Sequence, residues 1–150
     1  MKMIEIEEPL VKELEKVVYY PIMKHMVSNN AEILRIANED DLTRIDFIHY
    51  ADPIYIDGGW VKISPLSFIR PVGTKHKLGL VKAVNIPIAP VKHFYKSKKD
   101  FLCYTLYFPP LPKGTKEIDI IEFEGPGDNW FNFYGVSMGR VRSEKIIVGN

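Results

Sequence analysis

The sequence predicts an all-β protein, an immunoglobulin-like antiparallel β-sandwich of about seven strands with a short N-terminal helix. Tyr104, Leu106 and Phe108 recur at every second position, as do Ile118 and Ile120, then Phe131 and Phe133, the period that puts side chains on one face of a strand. Breaks rich in proline, glycine, asparagine and aspartate separate such runs along the chain. One segment alone carries helical spacing, whereas a parallel α/β fold alternates helices with strands.

The helix is expected over Glu7–Tyr20, where Leu10, Leu14, Val17 and Val18 fall at i, i+4, i+7 and i+8 and Pro9 suits a first turn. Pro21 should end it, because the residue before a proline is pushed out of the α region. Asn29 and Asn30 mark a turn, Ala31–Ile36 a strand, and Asn38–Asp41 a polar turn into a second strand, Leu42–Tyr50. In that strand Ile45, Phe47 and His49 share one face. Asp57, Gly58 and Gly59 signal a turn before a strand over Trp60–Ile63, and Pro65 separates it from Ser67–Arg70. Leu78–Ile86 follows, then a loop with Pro87, Pro90 and the basic run Lys92, Lys96, Lys98 and Lys99. The strand ending in Phe108 must stop there, since Pro109, Pro110 and Pro112 donate no ladder hydrogen bonds. Residues 1–28 read as a helical extension and 29–150 as one β-sandwich domain.

Composition narrows the function classes. With 20 basic and 19 acidic residues the formal charge is +1, so no whole-molecule field steers the chain to nucleic acid or an anionic membrane. The single cysteine, Cys103, forbids an internal disulfide and a multi-cysteine zinc site. Its place in an alternating strand, with no C-x-x-C partner, reads as structural. Glu5, Glu7, Glu8, Lys12, Glu13, Glu15 and Lys16 interrupt any secretory signal, so the chain as written reads as cytoplasmic, or as exported if it is a mature form. No stretch approaches the roughly 20 apolar residues of a membrane span.

From about Asn30 to Met138 the order of motifs resembles a family of uncharacterised bacterial immunoglobulin-like β-sandwich domains, found alone or beside modules such as thioredoxin-like domains. That family shows F-x-L-x-F, then P-L-P, a D-F-I-E-like strand and a last strand with an aromatic followed by Y-G-I-x-L. The counterparts here are Tyr104, Leu106 and Phe108; Pro110, Leu111 and Pro112; Asp119, Ile120, Ile121 and Glu122; and Trp130, Tyr134, Gly135, Val136 and Met138. Trp60 to Pro65 resembles the family's W-x-x-I-x-P. The resemblance implies a fold and no reaction.

No reactive constellation stands out. His25, His49, His76 and His93 lack metal-ligand spacing, and no G-x-S-x-G elbow occurs. Asp119 and Glu122 should point to opposite sides of a strand, and the Gly125–Asn129 segment lacks the lysine of a phosphate loop and the ligand pattern of a calcium loop. Lys92–Lys99, with His93, Phe94 and Tyr95 interleaved, has the composition of a single-strand nucleic-acid binder, but neutral overall charge favours a solvated loop. Neither catalysis nor a cofactor is expected.

The aromatic residues are the best lead. Trp60 follows Asp57-Gly58-Gly59 and Trp130 follows Gly127-Asp128-Asn129, so both fall where loops leave the sandwich. Core packing is the commoner role of sandwich tryptophans. Exposed, the pair with Asp57 and Asp128 would bind carbohydrate. The leading expectation is a non-catalytic module that binds a protein partner or itself, with the N-terminal helix as docking element; carbohydrate binding is the alternative.

Overall fold

The computed structural model describes residues 12–20, 27–127, 129–138 and 140–148. Strand pairing begins with paired two-residue turns. β2 (Val27–Ser28) meets β3 (Ala31–Glu39) around Asn29-Asn30, and β3 meets β4 (Leu42–Tyr50) around Asp40-Asp41. All four turn residues have positive φ, between 47° and 66°. Two successive left-handed residues make the turn whose twist matches antiparallel strands, and Asn and Asp adopt that conformation at low cost.

Lys12–Tyr20 forms a strand, β1, which corrects the expected helix over that part of Glu7–Tyr20; residues 1–11 lie outside the described residues. β1 pairs antiparallel with the C-terminal strand Arg140–Val148 over all nine of its positions, and Val18 and Tyr19 also face Ala37 and Ile36 of β3. Val17, Val18, Tyr19 and Tyr20 are β-branched or aromatic, the types that fit a pleated surface. A ladder on both sides outweighs a helical spacing carried by few apolar residues.

The other strands are β5 (Trp60–Val61), β6 (Phe68–Pro71), β7 (Leu78–Gly79), β8 (Lys82–Val84), β9 (His93–Phe94), β10 (Phe101–Phe108), β11 (Glu117–Ile121), β12 (Phe133–Ser137) and β13 (Arg140–Val148). The described residues thus hold thirteen strands and no helix, more strands than the seven or so expected. Leu78–Ile86 divides into β7 and β8, while β9 lies in the basic stretch read as a loop.

One antiparallel sheet runs β13-β1-β3-β4-β10-β8 with β2 on β3, a second runs β12-β11-β6-β7, and β5 and β9 form a separate ribbon. The two larger sheets supply one core. Ile33, Ile45, Phe47, Tyr104 and Leu106 come from the first and Ile69, Ile118, Ile120, Phe133 and Val136 from the second. Phe47 stacks on its cross-strand partner Tyr104 with ring centroids 4.9 Å apart, and reaches across to Phe133 at 5.9 Å. On the opposite face of β4, Asp46 accepts bonds from Arg35, Arg44 and Thr105. Burial alone would raise its carboxyl, but these bonds hold it below the usual range. On β10, Cys103 is exposed.

The inward row of β4 decides where function can sit. Thr43, Ile45, Phe47 and His49 are all buried, so the strand's period carries a titratable ring to the end of the core. Above that end lie the β5–β9 ribbon and the β11–β12 connection.

Candidate functional site

Trp60 is the first residue of β5, directly after Gly58 and Gly59. Gly58 has φ of 87°, and a Cβ there would stand 2.5 Å from the Ser97 carbonyl oxygen and 2.7 Å from the Ala51 Cβ. Only glycine permits that approach. It lets the 51–59 loop close on the 96–100 loop, joined by N–H bonds from Ala51 to the Asp100 carbonyl and from Tyr95 to the Gly59 carbonyl. In the ribbon Trp60 faces Phe94, and alternation sends Val61 inward while Trp60 stays 46% exposed. The ammonium groups of Lys92 and Lys62 lie 4.3 Å and 5.4 Å from its ring centroid. Such contacts contribute roughly 0.5–1 kcal/mol each at exposed sites.

Trp130 is half-buried in the β11–β12 connection. Its ring packs on Phe123 with centroids 4.5 Å apart, and its indole N–H donates to the Pro126 carbonyl at 3.3 Å. The Asn29 side-chain amide, at the tip of the β2–β3 turn, donates to the Trp130 carbonyl at 2.6 Å. Asn132 closes the connection, its side-chain oxygen accepting the Glu122 N–H at 2.8 Å and its amide donating to the Phe123 carbonyl at 2.8 Å.

Glu122 links the two aromatic segments. It is buried, and one carboxylate oxygen accepts the Ser64 N–H while the other accepts the Phe131 N–H, each at 3.0 Å. Burial raises its carboxyl above the ordinary value, against the lowering effect of those two N–H groups and the charge of Lys62. A second buried pair lies nearby, with His49 Nδ1 2.7 Å from the Tyr95 hydroxyl. A backbone hydrogen bond to Asn29 engages the His49 ring as well. Burial pushes the imidazole down to about 4, although that bond and Asp52 oppose the shift. The Tyr95 hydroxyl also donates to the His49 carbonyl at 3.2 Å, so the pair holds the ribbon against the end of β4 at two atoms.

These elements enclose a cleft of about 480 Å³, with Trp60 and Trp130 both in its lining. Tyr55 adds a third aromatic ring, and Asn29, Asn30, Asp52, Lys62 and Asn129 add polar groups over a floor containing His49 and Glu122. An aromatic-walled cleft with a few convergent polar groups is the usual form of a small-ligand site. Asp57 is exposed on the neighbouring loop and does not line the cleft, and Asp128 lies outside the described residues. Asp119 stands apart from Glu122, engaged by Arg70 at 3.1 Å and by the Gly135 N–H at 2.9 Å.

Tyr55, His49 and Glu122 carry no sequence signal as a group, because Glu122, just beyond β11, meets β4 and the loop that follows it only in three dimensions. For His49 alone a signal existed, its place in the inward row of β4. Among the described residues no group of three or more His, Cys, Asp or Glu side chains could hold a metal ion, and no helix is long and apolar enough to cross a membrane. In comparisons with known proteins, no family model, no curated protein and no solved structure matches this chain.

Proposed function

We propose that this protein is a non-catalytic carbohydrate-binding module, built as an immunoglobulin-like two-sheet sandwich, whose ligand occupies the cleft between Trp60 and Trp130. The observation that carries this reading is that both tryptophans line one open cleft together with amide and carboxylate groups. The C–H faces of a sugar ring match a flat indole, and its hydroxyls both donate and accept, as Asn29, Asn30, Asp52 and Asn129 require. A preformed aromatic wall also costs little conformational entropy on binding. Isothermal titration against a panel of neutral and acidic oligosaccharides tests it. Saturable binding that weakens at least about tenfold in Trp60→Ala and in Trp130→Ala, with both variants folded, is the expected result. A panel without any binder contradicts it.

A protein-binding module is the second reading. Ile54 and Ile56, exposed at 77% and 86% on the loop beside the cleft, favour it, since large apolar side chains grouped on a surface mark contact sites. Substituting both with Ser should then abolish partner capture and leave glycan binding intact.

A further inference from the structure

Resting on the carbohydrate reading, we infer that the cleft selects negatively charged sugars, and that Lys62 and Lys92 beside Trp60 make the selection. Arg35, Arg44, Arg70 and Lys77 each meet a carboxylate. Among the described residues Lys62 and Lys92 form no ion pair, and their ammonium groups lie over the Trp60 ring. Lys62 does feel the Glu122 charge, which stays committed to the Ser64 and Phe131 N–H groups.

The ring cannot stack on a sugar and on both ammonium groups at once. A neutral sugar that takes the indole face displaces a cation and returns only an uncharged hydroxyl or ester oxygen, so part of the stacking free energy is lost. A carboxylate or sulfate on the sugar offers the displaced ammonium a charge-assisted hydrogen bond. The same two lysines thus oppose neutral ligands and favour acidic ones, which is discrimination by repulsion and attraction together.

Charge distribution separates this from nucleic-acid binding. Lys62 is the basic side chain in the cleft lining and Lys92 lies over the same Trp60 ring from outside that lining, while the remainder of the cleft presents Asn29, Asn30 and Asp52 over the Glu122 carboxylate. Those groups suit the hydroxyls that every residue of an acidic oligosaccharide still carries, whereas the phosphodiester backbone of a nucleic acid offers them few.

The test titrates the full chain and its Lys62→Met/Lys92→Met variant with four probes: a hexa-galacturonate, its methyl ester, a sulfated hexasaccharide and a single-stranded hexanucleotide. Methionine keeps an unbranched stem against Trp60 without the charge. The expected result is about tenfold tighter binding of an acidic hexasaccharide than of the neutral ester, an advantage lost in the double variant without weakening the ester. Whether the uronate or the sulfated chain carries the advantage identifies the anion. Equal binding of acid and ester by the native chain overturns the charge selection and leaves the cleft reading standing. A preference that survives in the double variant overturns the assignment to these lysines. Tighter binding of the hexanucleotide overturns the ligand class, and binding of none of the probes overturns the cleft reading itself. Both lysines are solvent-accessible, and a second measurement stands apart from affinity: in Trp130→Phe, iodide should quench Trp60 more than caesium does, and the double variant should remove the difference.

Discussion

Glu122 accepts the Phe131 N–H at 3.0 Å, in the turn that carries Trp130, and its other oxygen accepts the Ser64 N–H at the same distance, just beyond the strand that carries Trp60. One buried carboxylate therefore sets the spacing of the two walls. Glu122→Gln keeps the shape but turns an amide donor toward one of the two N–H groups. The variant should lose about 1–3 kcal/mol, the cost of leaving a buried donor unsatisfied. Urea denaturation at neutral pH measures it, and a midpoint equal to the native one would show that the carboxylate ties nothing.

His49 gives the fold a pH dependence of fixed sign. Its folded value of about 4 lies below the ordinary 6.5, so between those values the unfolded chain binds a proton that the folded chain refuses. Stability should fall as pH drops from about 6.5 to about 4, by up to about 3 kcal/mol, and the loss from this group should be complete below that. Glu122 acts oppositely, because its raised folded value makes acidification favour the native state as pH falls from that value to the ordinary carboxyl value, where the gain is complete. The diagnostic quantity is the native protein minus His49→Gln, followed by denaturant titration from pH 7 to pH 4. A difference that does not change with pH would contradict a buried neutral imidazole.

At Gly58 a side chain would meet the Ser97 carbonyl and adopt a positive φ at once. Gly58→Ala should cost on the order of 2 kcal/mol and move the ribbon that presents Trp60. Thermal unfolding and ligand titration should both register the change. A variant as stable as the native protein would mean that the 51–59 loop does not need this approach.

Tyr104 offers a control in the opposite direction. Its ring is buried against Phe47, yet its hydroxyl makes no hydrogen bond among the described residues. Tyr104→Phe should be neutral or stabilising by up to about 1 kcal/mol, since it removes a desolvated polar group and keeps the stack. A loss larger than that would reveal a partner for the hydroxyl.

Much of the fold was legible wherever strands are long and their turns chemically explicit. Leu42–Tyr50 was expected with the bounds it has, and the prolines after Phe108 end β10 at that residue. β9 escaped because two residues, His93 and Phe94, cannot display a period. β1 was misread because its apolar positions also satisfy a helical spacing, and the ladder with β13 that decides the matter joins residues more than 100 positions apart. The turn signals before Trp60 and Trp130 were visible, but Glu122 reaches Ser64 across 58 positions, and no local pattern announces that. Sequence periodicity finds faces of single strands, whereas a cleft is made where several of them end.

The central claim is that Trp60 and Trp130 face one solvent-open cleft that a sugar fills. Acrylamide quenching of the single-tryptophan variants Trp60→Phe and Trp130→Phe, with and without a saturating oligosaccharide identified by titration, tests it most directly. Trp60 should be quenched freely and Trp130 partly in the free protein, with both shielded when the sugar is bound. Quenching of both residues left unchanged at saturation would place the ligand elsewhere and contradict the account.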